Sequence, residues 1–264
     1  MSEKIMLVDV TKCTACRSCQ VACKAWNNLP AEKTRNRGSY QNPADLSPKT
    51  FTLIRFQERE SAAGALEWLF RNDKCYHCTD PGCMKVCPVP GCITKTAEGA
   101  VVLDSAKCIG CKYCYHACPF HIPRFDEATE KMYKCTFCFD RQAEGMKPFC
   151  AAGCPTGAIT FGDKDTMIPA AYARAKALGG NATVYGDKVV GGTHVMYVLN
   201  EQPAVFEQLP VDPKISPMIF FWKDLLKPLT VLSLLGGLGG SLLYYFIKGP
   251  KEPTIEQGGD DDEQ

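Results

Sequence analysis

Cysteine spacing constrains this chain more than any other feature. Sixteen of its seventeen cysteines fall into four quartets along 264 residues. "CTACRSCQVAC" supplies Cys13, Cys16, Cys19 and Cys23, and "CIGCKYCYHACP" supplies Cys108, Cys111, Cys114 and Cys118; both read C-x2-C-x2-C-x3-C. "CYHCTDPGCMKVCP" widens the middle gap, as C-x2-C-x4-C-x3-C through Cys75, Cys78, Cys83 and Cys87. The fourth quartet opens with Cys135-x2-Cys138 and closes with Cys150-x3-Cys154, eleven residues separating its halves. Proline follows the last cysteine in three of the four, at Pro88, Pro119 and Pro155.

Two residues between cysteines let a tight loop aim successive thiolates at neighbouring irons of one cube, while backbone amides donate to its sulfurs. After three such ligands the chain turns away. In two-cluster ferredoxins the fourth cysteine ligates the other cluster, so quartets work in pairs. Zinc is the main rival, because two C-x2-C pairs close a tetrahedral site. It does not call for three cysteines at successive two-residue gaps, nor for proline after the last. A disulfide framework fits less well still: the cysteine count is odd, and "MSEKIMLVDVTKC" lacks the basic, apolar and cleavage regions of a secretory signal.

Chain order selects among the possible pairings. The second and third quartets are joined by a short turn and a strand through Val101 to Leu103, the size of one two-cluster module. The first and fourth then pair across it, so the outer module is split in sequence. The ligand sets expected are Cys13, Cys16, Cys19 with Cys154; Cys135, Cys138, Cys150 with Cys23; Cys75, Cys78, Cys83 with Cys118; and Cys108, Cys111, Cys114 with Cys87. All-cysteine ligation favours four 4Fe-4S clusters. Cys92, the one left over, reads as a packed free thiol.

From Pro228 to Ile247 the chain runs twenty residues without a charge. At helical rise this spans about 30 Å, a hydrocarbon core. Gly236, Gly237, Gly239 and Gly240 would weaken a helix in water, whereas in lipid they permit close helix packing. Trp222, Tyr244 and Tyr245 suit the two interfaces. Lysines flank both ends, so charge does not orient the helix. The net charge of +1, spread along the chain, does not favour nucleic acid as a partner.

The remaining segments read more simply. Residues 24–74 hold a polar loop and then the strand-like "FTLIRF"; residues 165–200 hold the helix "DTMIPAAYARAKAL", closed by Gly179, and the strands "NATVYG" and "HVMYVL". His194 reads as a structural strand residue. Arg17, Lys74, His77 and Lys112 lie in or beside cysteine loops, where a positive charge or hydrogen bond would raise a cluster's reduction potential. No dinucleotide fingerprint, P-loop or nucleophile with a base is present, so a non-catalytic subunit is expected.

With these residues assembled, the chain resembles the four-cluster iron-sulfur subunits of membrane-associated molybdopterin oxidoreductases, and among them the beta subunits of respiratory formate dehydrogenases. The resemblance rests on the quartet order, "CTACRSCQVACKAWNNLP", "GSYQNPADLSPKTFTLIRFQE", "GGTHVMYVL" and the C-terminal apolar segment. It implies an electron wire from a molybdenum or tungsten pterin subunit to a membrane cytochrome b and quinone. The Cys75 site would lie nearest the catalytic subunit, then the Cys108 and Cys135 sites, with the Cys13 site facing the membrane. Related nitrate reductases replace one third-quartet cysteine by tryptophan; Cys114 is present here. A membrane hydrogenase, polysulfide reductase or dimethyl sulfoxide reductase complex is the alternative setting.

The expected fold is α+β: two interlocked ferredoxin-like modules, each with two 4Fe-4S clusters, and one C-terminal transmembrane helix. The boundaries expected are 1–164 for the cluster domain, with the inner module at about 70–125 and the split outer module at 1–30 and 126–164. An α/β extension follows at 165–214, the helix with its interfacial lead-in at 215–248, and an acidic disordered tail at 249–264. The resemblance implies a periplasmic cluster domain on the inner membrane, exported with a partner bearing the twin-arginine signal; a cytoplasmic placement is the alternative.

Overall fold

Cys75 follows directly on the last residue of a strand, and that connection shows how the fold serves the cysteines. A computed structural model describes residues 2–61 and 64–249. Its two units divide between Ser216 and Pro217. In the first, β1 (Lys4–Asp9) leads into the Cys13 loop and α1 (Ser18–Trp26), and β2 (Thr52–Glu60) pairs with β3 (Leu66–Lys74) in an antiparallel hairpin. The Cys75 quartet contains α2 (Gly82–Lys85), and β4 (Ile93–Lys95) pairs with β5 (Val101–Leu103) before α3 (Tyr113–Ala117). A third hairpin, β6 (Arg124–Asp126) with β7 (Lys131–Tyr133), precedes α4 (Phe139–Ala143) and α5 (Phe149–Ala152). Then come β8 (Ile159–Asp163), α6 (Lys164–Leu178), β9 (Thr183–Tyr185) and β10 (Val195–Leu199).

In the first unit, β1 meets the later strands in one sheet of order β8-β1-β10-β9. β1 runs parallel to β10, Met6 opposite Val195, and antiparallel to β8. Residue alternation gives β1 two apolar faces. Ile5 and Leu7 pack with Met196 and Val198 against Ala171 and Ala175 of α6, while Met6 and Val8 join the core that contains Cys19, Cys23, Cys135 and Cys150. Small residues four apart on α6 let it lie close on the sheet, and Gly179 ends it at φ 68°.

His194, just before β10, is wholly buried. Its Nδ1 lies 2.6 Å from the carbonyl oxygen of His77, so this nitrogen carries the proton and donates. Its Nε2 faces the Glu3 carboxylate at 3.5 Å. Gly99, at φ 100°, makes room for the ring: a Cβ there would stand 2.0 Å from His194 Cδ2. The structural role expected for His194 is what these contacts describe.

In the second unit α7 (Pro217–Phe221) passes through a π-helical turn, Trp222–Leu226, into α8 (Lys227–Lys248). α8 covers the uncharged run. Among the described residues it is the one helix long and apolar enough to cross a membrane, with leucines exposed along its length. Pro228 sits in its first turn, where a missing N–H is tolerated. Residues 250–264, most of the acidic tail, lie outside the described residues.

Candidate metal centres

All four C-x2-C loops share one backbone feature. The residue before the second cysteine takes positive φ in each: Ala15 at 55°, His77 at 47°, Gly110 at 69° and Phe137 at 61°. Only one of these is glycine, so three loops hold a conformation that L-residues seldom adopt. The twist turns backbone N–H groups inward as an anion-binding nest. Gly110 N donates to Cys108 Sγ, and Phe137 N to Cys135 Sγ, each across 3.4 Å. Gly110 is needed for a second reason, since a Cβ there would meet the Glu130 carbonyl at 2.3 Å.

Each third cysteine sits on a short helix: Cys19 on α1, Cys83 on α2, Cys114 on α3 and Cys150 on α5. The fourth follows four residues later, about 6 Å farther along the helical direction. This displacement lets one quartet address two places. The eleven-residue gap contains α4 and a turn at Gly145. It packs back on its neighbours, with Arg141 over the rings of Trp26 (4.4 Å) and Phe149 (4.8 Å) and Asp140 accepting from Trp26 Nε1 at 2.7 Å.

Two cavities collect the cysteines across quartets. One is lined by Cys13, Cys16, Cys19 and Cys154, the other by Cys75, Cys78, Cys83 and Cys118. Among the remaining eight, neighbouring thiols act on one another's charge. Cys23 is pushed up to about 12 by burial, with Cys150 and Cys138 adding to the shift, and burial raises Cys135 with Cys23 next. Burial raises Cys114, with Cys83, Cys111, Cys108 and Cys87 adding to it. Cys83 thus neighbours both inner sites, as expected where two sites abut.

As bare thiols, several of the buried cysteines resist ionisation. Burial lifts Cys118 to about 12 and Cys138 to about 11. Cys154 is lowered instead: burial opposes its charge, but hydrogen bonds from Ile159, Thr156 and Ala158 outweigh that. A bound cation reverses the preference throughout, because a coordinating thiol loses its proton outright. All seventeen cysteines are free of disulfides. Among the described residues, no three His, Cys, Asp or Glu side chains converge on a point that could hold a single ion. A mononuclear zinc needs sulfurs about 2.3 Å from one centre, whereas a cube spaces its thiolates at separate irons. The cavities and inward amides suit the larger group.

The charged residues singled out by sequence divide into two kinds. Arg17 donates to the Tyr40 carbonyl and covers the Phe56 ring at 4.9 Å, and Lys112 covers the Phe125 ring at 3.7 Å. These two serve surface packing. Lys74 and His77 are completely buried. His77 Nδ1 accepts from Val101 N at 3.0 Å, which leaves the proton on Nε2, and burial holds its pKa well below the ordinary histidine value. Sequence reasoning missed Asn72, whose Nδ2 donates to Cys19 Sγ at 3.1 Å, and Lys134, buried beside the Cys75 cavity. The signal for Asn72 was faint: a polar run, "RNDK", with no Gly or Pro before a cysteine. Cys92 is 2% exposed and packs with Ile93, Val101, Cys108 and Met132.

Comparison with known proteins bears on the same features. Two models described as 4Fe-4S dicluster domain match residues 12–90 and 66–164, giving four clusters, and one described as formate dehydrogenase N, transmembrane, matches 215–257. That last match and the apolar α8 together make this a membrane-anchored chain. The iron-sulfur subunit of the nitrate-inducible formate dehydrogenase of Escherichia coli is 46% identical over all of this chain and 90% of its own length. The formate dehydrogenase iron-sulfur subunit of Haemophilus influenzae is 44% identical over 96% of this chain and 84% of its own. A formate dehydrogenase beta subunit of Nitratidesulfovibrio vulgaris is 44% identical over 65% of this chain and 81% of its own. With a relative 46% identical over the whole of this chain and dicluster models matching its cysteine quartets, the chain belongs to the iron-sulfur subunits of formate dehydrogenases.

Proposed function

We propose that this chain is the non-catalytic electron-transfer subunit of a membrane formate dehydrogenase, relaying electrons from a molybdopterin subunit to a cytochrome b-type subunit and quinone. The ligand sets are Cys13, Cys16, Cys19, Cys154; Cys135, Cys138, Cys150, Cys23; Cys75, Cys78, Cys83, Cys118; and Cys108, Cys111, Cys114, Cys87. One observation carries the reading. Two separate cavities are each lined by three cysteines of one quartet and the last cysteine of another.

When bound, 4Fe-4S clusters supply one-electron uptake and release at potentials tuned by charge, hydrogen bonding and burial. The chain's own part is to hold, shield and tune. The thiolates fix positions, the short helices send each fourth cysteine to a neighbouring site, and the N–H groups of Gly110 and Phe137 soften the charge on cysteine sulfur. Val8, Ile54 and Ile159 in the first cavity, and Val101, Phe120 and Ile122 in the second, keep water away. Low polarity around a one-electron site limits the solvent rearrangement that each transfer would otherwise require.

In this reading the inner module spans about 70–125 and the split module 1–30 with 126–164, followed by the extension at 165–214 and the membrane segment at 215–248. α8 lies in lipid beside the cytochrome subunit, with the cluster domain on the periplasmic face. Anaerobic purification of the complex, with iron counted on this subunit, tests the proposal: about sixteen iron atoms per chain are expected. Zinc in place of iron, or iron for only two clusters, would refute it.

A further inference from the structure

Strand β3 ends by placing two alternate side chains, Asn72 and Lys74, on one face. Asn72 Nδ2 reaches Cys19 Sγ at 3.1 Å, and Lys74 Nζ reaches Cys150 Sγ at 3.4 Å. One step along a strand thus joins a sulfur of the Cys13 site to a sulfur of the Cys135 site. The Lys74 side chain is wholly buried. Its other hydrogen bond, at 3.0 Å, is to Met6 Sδ, so sulfur atoms are its acceptors. An ammonium taken from water needs nearby negative charge or strong acceptors. Here cysteine thiolates are the groups placed to supply it.

The second buried lysine makes the contrast. Lys134 Nζ donates to two backbone carbonyls, those of Val101 and Cys135, and lines the Cys75 cavity. The thiols that feel the Lys74 charge are Cys19, Cys23, Cys135 and Cys138, all of the split module, whereas Lys134 faces mainly Cys75 and Cys83 of the inner module, with Cys135 next.

We propose that Lys74 is a fixed positive charge shared by the Cys13 and Cys135 sites, raising the reduction potential of both above the values they would otherwise have. The inference rests on the ligand sets proposed above. Reduction adds one electron to a site and no proton, so each reduced site gains one negative charge. A neighbouring ammonium stabilises that state, and burial protects the effect from salt. Raising these two potentials draws electrons from the inner module toward the split one.

The test uses the assembled complex, titrated potentiometrically with each cluster followed by EPR. Signals of the split-module sites are identified as those missing in Cys16→Ala and in Cys138→Ala, and loss of two different signals shows, independently of Lys74, that these two cysteines serve different clusters. In Lys74→Met both of these potentials are expected to fall, the two inner ones to stay, and Lys74→Arg to restore the pair. Unmoved outer potentials, or an equal fall at all four sites, would overturn the role given to Lys74 without touching the ligand sets. Where Lys74→Met fails to retain iron, Lys74→Gln and Lys74→Arg provide the same comparison: an arginine variant as low in potential as the glutamine variant overturns the proposal.

Discussion

Arg174 of α6 donates its Nε to Oδ2 of Asp9 across 2.8 Å, tying the α/β extension to the turn that opens the first cysteine loop. Asp9 also accepts from Thr11 N at 3.0 Å and Thr11 Oγ1 at 2.6 Å, capping the turn that delivers Cys13. Burial opposes the charge, but these hydrogen bonds outweigh it and hold the carboxyl below its ordinary value. A lowered folded pKa means that the stabilisation is complete above the unfolded value and is lost as pH falls through the folded one. Asp9→Asn is expected to cost about 1–2 kcal/mol. The deficit should stay constant from about pH 5 to about pH 8, read from chemical unfolding midpoints.

Asp73 is shared between two buried guanidinium groups. Arg55 Nε is 2.8 Å from its Oδ2 and Arg71 Nη1 is 3.1 Å from its Oδ1, with Arg71 only 2% exposed. Asp73→Asn strands charge in the interior and is expected to cost about 3–5 kcal/mol. Breaking the exposed Lys85–Asp80 pair, 2.5 Å apart, by Asp80→Ala is expected to cost less than about 1 kcal/mol. Equal costs for the two variants would contradict the weight given to burial.

We propose that Cys92 packs rather than ligates. Its thiol is 3.5 Å from the Asp104 carbonyl and packs among Ile93, Val101 and Met132 beside Cys108. Cys92→Ala should retain the full iron content of the wild type while lowering stability by about 1–2 kcal/mol. Loss of one cluster's iron would assign it a coordinating role instead.

What was legible in the sequence was local. Four cysteine quartets, the helix closed by Gly179 and the uncharged run of α8 each carry their signal within a few residues or turns. β3 was not legible, because Arg71, Asn72, Asp73 and Lys74 look like a solvated end while being buried by partners from other segments: Cys19, Arg55, Cys150 and Glu207. The pairing of β1 with β10 joins residues nearly two hundred positions apart, and no local pattern announces it. α4 is five residues long, too short for periodicity to separate it from a loop. The positive φ shared by Ala15, His77 and Phe137 was hidden for another reason: alanine, histidine and phenylalanine do not advertise a conformation usually left to glycine.

The central claim is that the first and fourth quartets form one split module by exchanging their last cysteines. Cys23→Ala in the assembled complex tests it most directly, with iron counted and the clusters resolved by EPR. The account predicts loss of about four iron atoms and disappearance of the same signal that Cys138→Ala removes, while the signal removed by Cys16→Ala persists. Disappearance of the Cys16 signal, with the Cys138 signal intact, would mean that Cys23 serves its own quartet and would contradict the exchange.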